Sequence, residues 1–309
     1  MMNAQSPVIR RYGMAAVQEA AGVIRAGGIV AVPTETVYGL AADARDSAAV
    51  ARIYAAKGRP SFNPLIVHVL DLAAAARIAV LDADAHALAA RFWPGPLTLV
   101  LPVRAGAGIA SLVTAGLETI AIRVPAHRAM RALLAESAAP LAAPSANASN
   151  GISPTRAGHV AASLGARVPL ILDDGATAAG VESTIVAGRT ILRPGPVTAE
   201  MLRDVLPVAA GGTAHVSAPG QLPTHYAPRK PLRLEAVARE AGEWLIGFGT
   251  VEGDDTLSAT GDLDEAAARL FDALHRADAS AGARIAVAPV PEAGVGVAIN
   301  DRLRRAAHR

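Results

Sequence analysis

The stretch AVPTETVYGLAADA, residues 31–44, decides how the first half of the chain folds. Its first apolar residues are typical of the end of a short buried strand, and a helical pattern over residues 14–26 precedes them. Thr34, Thr36 and Tyr38 follow that strand at once. Ligands of open α/β sheets bind at the carboxyl ends of strands, whereas threonines also cap backbone groups in ordinary turns. The stretch therefore predicts either the rim of a binding site or a simple strand-to-helix turn.

Helix and strand patterns alternate as far as residue 210. Some segments carry apolar residues at helical spacing, and others are short apolar runs bounded by Pro, Gly or Asn. The helical segments are 14–26, 47–58, 82–93, 127–137 and 153–165, and the strand segments are 29–33, 63–70, 96–103, 119–125, 140–146, 169–174, 183–188 and 190–195. This alternation predicts an α/β or α+β domain over residues 1–210, in which helices cover a sheet.

A second unit follows a linker. Residues 211–231 have no hydrophobic period and are rich in Pro and Gly, which is typical of a linker. Residues 232–309 predict a small α/β domain of parallel strands joined by crossover helices. Its glycine-rich turn, GFGTVEG at 247–253, misses the dinucleotide-binding pattern G-x-G-x-x-G by one position, and the chain contains no P-loop motif.

Composition limits the chemistry that the protein can perform. The 309 residues include no cysteine, which excludes thiolate nucleophiles, disulfides and cysteine-ligated metals. The formal net charge is only +2, so an anionic partner is permitted but no basic nucleic-acid arm is indicated. Neither an apolar run of about 18 residues nor a secretory signal pattern occurs, so we expect a cytoplasmic protein with no membrane partner. Among 29 basic residues, only Lys57 and Lys230 are lysines.

The segment KGRPSFNPLIVHV, residues 57–69, surrounds a strand with polar side chains. Lys57 and Arg59 flank the glycine that ends a helix, where cations either favour the helix dipole or bind phosphate. A lysine ammonium suits phosphate as a compact charge. Asn63 precedes a proline and fits a turn, and His68 in its apolar strand is either a core histidine or a ligand-binding one.

Further polar groups follow later strands of the first domain. The loop APSANASNGISPT, residues 143–155, combines small side chains with hydroxyls and amides, which either form ordinary turns or let the backbone approach a phosphate. GVESTIV at 180–186 places hydroxyls at the start of a strand, and Arg193 precedes a proline. None of these features is specific alone.

Together, the motifs resemble those of one family. PTETVYGL, KGRPSFNPLIVHV, WPGPLTLVL, TIAIRVPAH, APSANASNGISPT, GVESTIV and LRPGPVT have the order and spacing of the YrdC-like threonylcarbamoyl-AMP synthases, over about residues 12–205. PTHYAP at 223–228 and GVGVAINDRLRRAA at 294–307 resemble the linker and second domain of the long form. The resemblance implies a twisted, mixed open sheet flanked by helices, and a small Rossmann-like domain. That domain is short for the long form, and its role stays open.

The resemblance also implies an activity. Members are nucleotidyltransferases that join L-threonine, bicarbonate and ATP into threonylcarbamoyl-AMP and release pyrophosphate, and a downstream transferase complex then modifies tRNA next to the anticodon. Weak binding of tRNA itself would accompany that role. Mg2+ is expected to bind mainly through ATP, with no metal site made by protein ligands alone. The alternative is a non-catalytic protein of the same fold that binds double-stranded RNA or tRNA. Related carbamoyl-transfer enzymes of metallocentre maturation carry zinc-finger modules, which a chain without cysteine lacks.

Matching positions assign individual roles by the same resemblance. The residues that match the L-threonine-binding positions are Thr36, His68, Arg123, Ala143 and Ser183; those that match the ATP-binding positions are Arg59, Asn63, Thr119, Ser145, Ser153, Arg193 and Tyr226; Lys57 and Arg59 match the catalytic basic pair. Because Tyr226 lies in the predicted linker, we expect the linker either to close over the site as a lid or to act as a flexible tether.

Overall fold

The computed structural model describes residues 6–211 and 225–308. The strands β1–β15 are Val8–Arg11, Val30–Pro33, Tyr38–Asp43, Ile66–His68, Leu97–Pro102, Thr119–Arg123, Leu141–Ala142, Leu170–Asp173, Thr184–Ala187, Thr190–Arg193, Ala209–Ala210, Leu232–Arg233, Glu243–Gly247, Asp255–Thr256 and Arg284–Val287. The helices α1–α10 are Met14–Arg25, Ser47–Lys57, Leu72–Ile78, Ala83–Phe92, Ser111–Thr114, Arg128–Ser137, Ala157–Leu164, Ala199–Arg203, Leu263–Ala279 and Gly296–Ala307. No helix within these two ranges is long and apolar enough to cross a membrane.

The first eleven strands form one mixed sheet, in the order β1-β8-β2-β3-β7-β4-β6-β5-β9-β10-β11. On one face, Ile24 of α1 and Leu133 of α6 pack against the sheet. On the other face, Ile53 of α2 and Leu88 of α4 belong to a second apolar core. The mixed sheet flanked by helices that the sequence predicts is therefore confirmed.

Side-chain alternation along β4 decides which face of the sheet carries polar groups. Val67 points into the core that contains α2 and α4, whereas Ile66 belongs to a separate, smaller cluster. Because successive side chains of a strand point to opposite faces, His68 shares the face of Ile66. Its register partner on the parallel strand β6 is Arg123, so an imidazole and a guanidinium end two neighbouring strands on the same face.

Residues 34–37 connect the antiparallel strands β2 and β3 as a hairpin. The hydroxyl oxygen of Thr34 accepts the N–H groups of Thr36 at 3.1 Å and Val37 at 3.2 Å, and the hydroxyl donates to the carbonyl of Val37 at 2.7 Å. The threonine does cap backbone groups, but the interpretation as a strand-to-helix turn is wrong, because the chain enters a strand. The polar stretch thereby becomes the tip of a hairpin.

Helix α2 ends where its sequence predicts an end. Asp46 accepts hydrogen bonds from two N–H groups of the first turn, and Gly58 closes the helix in the left-handed conformation with φ 60°. This end places Lys57 and Arg59 beside β4.

Strands β12–β15 form a second, wholly parallel sheet in the order β12-β15-β13-β14. The predicted small parallel domain is confirmed. Its core contains Phe271 of α9 and Ile299 of α10, and the same apolar cluster includes Val37 of the β2–β3 hairpin and Tyr226. The second domain therefore packs directly against the polar end of the first.

Candidate active site

A cavity lies on the face of the sheet that carries His68 and Arg123. Of the side chains singled out in the sequence, nine line it: Thr36, Arg59, His68, Arg123, Ala143, Ser145, Ser183, Arg193 and Tyr226. Lys57, Asn63 and Ser153 do not line the cavity but hydrogen-bond to residues that do. Thr36 and Tyr226, which both line the cavity, are 190 positions apart in the sequence (226 − 36). The fold thus brings distant parts of the chain together.

The guanidinium of Arg123 is the centre of a buried cluster. Its Nη2 lies 2.6 Å from Oε1 of Glu35, its Nη1 donates to the hydroxyl of Thr36 at 2.9 Å, and its Nε donates to the carbonyl of Gly95 at 3.2 Å. Burial acts to raise the pKa of Glu35, but the charge and hydrogen bond of Arg123 outweigh it and leave that pKa below its ordinary value. The cluster therefore holds an ionised pair whose cation is fixed beside His68.

The imidazole of His68 is neutral at neutral pH. Burial, followed by the positive charge of Arg123, lowers the pKa of His68 to about 3. Within residues 6–211 and 225–308, its Nδ1 has no hydrogen-bond partner. A buried neutral imidazole with an unpaired nitrogen at a cavity wall is suited to a hydrogen bond with a small polar ligand.

Two more arginines face the cavity. Arg59 donates to the carbonyls of Asn63 at 3.2 Å and Pro64 at 2.9 Å, and Arg193 donates to the carbonyl of Ser183 at 2.9 Å and to its hydroxyl at 3.2 Å. Burial lowers the pKa of Arg59 to about 10 and also lowers the pKa of Arg193. Both side chains remain cations at neutral pH, so the part of the cavity wall that they form is suited to phosphate oxygens.

Lys57 supports the cavity wall from behind. Its side chain is 3% exposed, and its Nζ lies 2.5 Å from the carbonyl oxygens of both Ser145 and Asn147. Burial, followed by the charge of Arg59, lowers the pKa of Lys57 well below its ordinary value. Either protonation state retains the two N–H groups that these bonds require. Lys57 therefore fixes the loop whose first residue, Ser145, faces the cavity.

Glu182 lines the cavity and joins it to the second domain. Its Oε1 accepts a hydrogen bond from Ser153, and its Oε2 accepts one from Nε of Arg302 on α10 at 2.9 Å. Burial acts to raise the pKa of Glu182, but Arg302 and then Arg193 outweigh it and lower that pKa. Gly195 lets the next loop lie against this segment, because a Cβ there would come within 2.6 Å of the Glu182 carbonyl oxygen.

Thr119 and Asn63 are not among the residues that line the cavity. Thr119 begins β6 and precedes Arg123 by four positions, so it shares that residue's face at a distance of about 13 Å along the strand. Asn63 is buried, and its Oδ1 has no hydrogen-bond partner among the described residues. Thr119 therefore extends the polar face along β6 beyond the cavity.

His225 and Tyr226 close the cavity. Tyr226 is fully buried, with its ring centroid 5.5 Å from that of Phe271. In the part of the chain that the structure describes, the Tyr226 hydroxyl and Nδ1 of His225 have no hydrogen-bond partner. The free space behind them is about 50 Å3, against about 300–1,000 Å3 in ordinary ligand pockets. Residues 212–224, most of the predicted lid, lie outside the described residues.

Several side chains that contribute to this site were not predicted as site residues. Glu35 and Glu182 each directly precede a residue of the predicted threonine site, and this adjacency of a carboxylate to a binding residue is a usable signal. Arg302 offered no such signal, because its partner Glu182 is 120 positions away.

The described residues of the candidate site form no metal-binding cluster of protein side chains. Across the described ranges, no three His, Asp or Glu side chains are placed together to hold a metal ion. The buried carboxylates Glu35 and Glu182 each pair with an arginine. A divalent cation would fit this site as a partner of phosphate oxygens and water.

The mixed sheet, the parallel second domain and the arginine-lined cavity define the Sua5–YrdC class of proteins. A family model described as "Telomere recombination" matches residues 22–195, and one described as "Threonylcarbamoyl-AMP synthase, C-terminal domain" matches residues 197–308. The chain belongs to the threonylcarbamoyl-AMP synthase family.

Similarity to individual relatives extends over both domains. The threonylcarbamoyl-AMP synthase of Bacillus subtilis (strain 168) is 41% identical over 326 residues, which cover 94% of this chain and 92% of that protein. The one from Pyrococcus abyssi is 40% identical over 316 residues, covering 93% and 92%. The structure of P. abyssi Sua5 complexed with L-threonine superposes with a TM-score of 0.89 at 37% identity, covering 98% of this chain and 97% of that one. A P. abyssi Sua5 variant with a histidine and the following tyrosine replaced by alanine also gives 0.89, at 36% identity, covering 97% and 96%.

Proposed function

We propose that the protein is an L-threonylcarbamoyladenylate synthase, which transfers the adenylyl group of ATP to a carbamate made from L-threonine and bicarbonate. The observation that carries the proposal is that two kinds of side chain line one cavity. Arg123 and the neutral His68, which are register partners on β6 and β4, suit an amino acid, and Arg59 and Arg193 suit phosphates. We assign the first pair to one half of the site and the second pair to the other half. Membership of the family and a relative solved with L-threonine support this assignment.

In the first half, Arg123 binds the carboxylate of threonine. Its guanidinium already has a fixed orientation through Glu35 and Thr36, so little conformational freedom is lost on binding. The hydroxyls of Thr36 and Ser183 and the backbone of Ala143 position the amino acid further. His68 contributes a hydrogen bond without adding a positive charge next to the substrate's amine.

In the second half, Arg59 and Arg193 bind phosphate oxygens of ATP. Ser145, Asn63, Thr119 and Ser153 supply hydroxyl and amide groups along the polar face, and Tyr226 covers the nucleotide. Mg2+ bound together with ATP would neutralise part of the phosphate charge. Lys57 sets the position of Ser145 through the loop carbonyls.

The chemistry then consists of two steps. The amine of threonine attacks the carbon of bicarbonate and water leaves, or it adds to CO2 formed by dehydration of bicarbonate; in either case the nitrogen loses a proton and a carbamate results. A carbamate oxygen attacks the α-phosphorus of ATP, the bond to the β-phosphate oxygen breaks, and pyrophosphate leaves. Positioning of two charged reactants and stabilisation of charge by the arginines do most of the work, which agrees with a site rich in cations and without a thiol nucleophile.

The segment at 225–226 acts as a lid. The closed cavity of about 50 Å3 is too small for ATP, so His225 and Tyr226 move to admit the nucleotide and cover it afterwards. Closure protects the product, a mixed anhydride, from water. A flexible tether would not bury Tyr226 completely.

The product defines the downstream partner by its chemistry. A threonylcarbamoyl adenylate is an activated acyl donor, so a transferase complex that acts on tRNA adenosine consumes it. The protein itself needs only weak contact with tRNA, and we place the reaction in the cytoplasm.

The test is pyrophosphate release from ATP and bicarbonate, with and without L-threonine, with L-serine as the comparison. We expect release that depends on L-threonine and is much slower with L-serine. Release that is absent or indifferent to the amino acid would contradict the proposal, and salt-dependent RNA binding without ATP turnover would then favour the RNA-binding alternative.

A further inference from the structure

The second domain contributes a fully buried arginine to the wall of the candidate site. Arg302 lies in the middle of the apolar face of α10, next to the buried residues Ile299, Leu303 and Ala306, and has no solvent exposure. Burying a guanidinium is costly unless all its hydrogen bonds are made. An arginine at such a position therefore indicates a specific set of partners.

Those partners lie in the first domain and in Arg302's own helix. Its Nε donates to Oε2 of Glu182 at 2.9 Å, its Nη1 donates to the carbonyl of Pro194 at 2.9 Å and to Asp301 at 2.8 Å, and its guanidinium lies 5.4 Å from the ring centroid of Tyr226. One side chain thus contacts the cavity-lining carboxylate, the loop after Arg193 and the tyrosine that closes the cavity.

The pairing explains why a carboxylate lines a cavity suited to phosphates. An unpaired Glu182 would repel ATP, but Arg302 compensates its charge and also fixes its direction. The other carboxylate oxygen then accepts from Ser153, which matches a nucleotide-binding position. Glu182 therefore orients a hydroxyl for the nucleotide instead of opposing its charge.

Ser153 is held by the second domain at a second point. The imidazole of His275 on α9 lies with Nε2 3.1 Å from the Ser153 carbonyl oxygen. Burial lowers the pKa of His275 to about 4, so the neutral ring donates this bond through an Nε2–H. His159 of α7 stacks on this ring at 3.8 Å. The backbone of Ser153 is thus bound directly by α9, and its side chain is bound by Glu182, which Arg302 of α10 orients.

We infer that Arg302 is a positioning residue through which the second domain completes the nucleotide half of the active site, acting on ATP through Glu182 and Ser153. This inference rests on the proposed function for its substrate. It assigns a task to the second domain, which contributes no other charged side chain to the described contacts of Glu182.

The test is a double-mutant cycle on Arg302→Met and Glu182→Gln, read as the KM for ATP, the KM for L-threonine and kcat, with thermal unfolding to verify folding. We expect Arg302→Met to raise the KM for ATP by about tenfold or more and to leave the KM for L-threonine unchanged, because an oriented contact to a charged group is lost. In the Glu182→Gln background, the same substitution should have a much smaller effect, because no unpaired carboxylate remains. Arg304→Met, an exposed neighbour on the same helix, serves as the matched control and should leave all three constants unchanged.

Three results would overturn the inference: a wild-type KM for ATP in Arg302→Met, an equal effect of that substitution in both backgrounds, or equal rises in the KM values for ATP and L-threonine. If Arg302→Met does not fold, Arg302→Lys is the second variant. It retains the charge but loses the planar arrangement of several N–H donors, and it should still raise the KM for ATP selectively. Equal rises in both KM values would instead indicate a general structural role. If the wild-type protein makes no threonylcarbamoyl adenylate, the proposed function fails first, and the dissociation constant for ATP in the wild type and the three variants of the cycle still decides the inference.

Discussion

The side-chain nitrogen of Lys57 lies 2.5 Å from the carbonyl oxygen of Ser145, a residue whose side chain faces the candidate nucleotide site. The same nitrogen binds the carbonyl of Asn147, so one buried lysine fixes both ends of a short loop segment. The sequence resemblance matches Lys57 to a catalytic basic position, and this geometry gives the position a concrete task. Lys57 fixes the loop that begins at Ser145, and Arg59 two residues later lines the cavity itself.

Replacement of Lys57 should weaken both the fold and nucleotide binding. We expect Lys57→Met to lower the free energy of unfolding by about 2–4 kcal/mol, because two buried carbonyls lose their donor. The KM for ATP should rise with it, as Ser145 loses its position. Lys230→Met is the matched control, since this lysine at the end of the linker also binds two carbonyls, at the end of α9 and away from the cavity. It should lower stability without changing the KM for ATP. Loss of turnover in Lys57→Met at unchanged stability would favour direct contact with phosphate instead.

Arg59→Ala should abolish most pyrophosphate release while the protein stays folded. Loss of a preorganised cation at a phosphoryl group typically slows turnover by about 100-fold or more. Circular dichroism and thermal unfolding verify the fold, and Arg45→Ala, half-exposed and paired with Asp43, is the control. An Arg59→Ala protein with nearly normal turnover would remove this residue from the phosphate site.

Arg123→Lys should impair binding of threonine selectively. A lysine cannot reproduce the contacts to Glu35 and Thr36 while also binding a carboxylate. We expect the KM for L-threonine to rise about 10- to 100-fold, with the KM for ATP unchanged, measured by pyrophosphate release. Arg128→Lys, an exposed arginine after the same strand, should change neither constant. A shift confined to the KM for ATP would contradict the assignment of the two halves.

Stability should fall as the pH falls below the ordinary pKa of histidine. His68 has a pKa of about 3 in the folded protein against 6.5 ordinarily, so between these values the unfolded chain binds a proton that the folded chain does not. The contribution of His68 to the free energy of unfolding is fully present above pH 6.5. It is lost as the pH falls toward 3, by up to about 1.4 kcal/mol per pH unit. Urea unfolding from about pH 7.5 to about pH 5 measures this slope. His68→Gln should reduce this slope, to which the buried His225 and His275 also contribute because their pKa values are lowered too, and the exposed His86→Gln should retain it. An unchanged slope in His68→Gln would mean that this imidazole is not buried as described.

Regular elements were predictable from the sequence where the hydrophobic period is long or the cap is strong. Helix α4, with Asp82 as its N-cap, and the parallel second sheet are examples. The short helices Leu72–Ile78 and Ser111–Thr114 were not predicted, because they are too short to display a helical period. The hairpin at 34–37 was missed because its two strands are separated by polar residues that also fit a helix start.

The candidate site was predictable only where its residues belong to local motifs. Arg123 and His68 stand in separate motifs, and their adjacency depends on the pairing of β4 with β6, which no local pattern determines. The contact of Arg302 with Glu182 crosses two domains, and Glu35 pairs with an arginine 88 positions away (123 − 35). Long-range ion pairs of this kind depend on tertiary packing, and a single sequence carries no pattern for them.

The most direct measurement is the mass of the product formed from ATP, L-threonine and carbon-13-labelled bicarbonate. We predict a threonylcarbamoyl adenylate that carries one labelled carbon and accumulates in equal amount with pyrophosphate, and that disappears when L-threonine or bicarbonate is omitted. Pyrophosphate without a labelled adenylate, or an adenylate that lacks the labelled carbon, would contradict the proposed reaction.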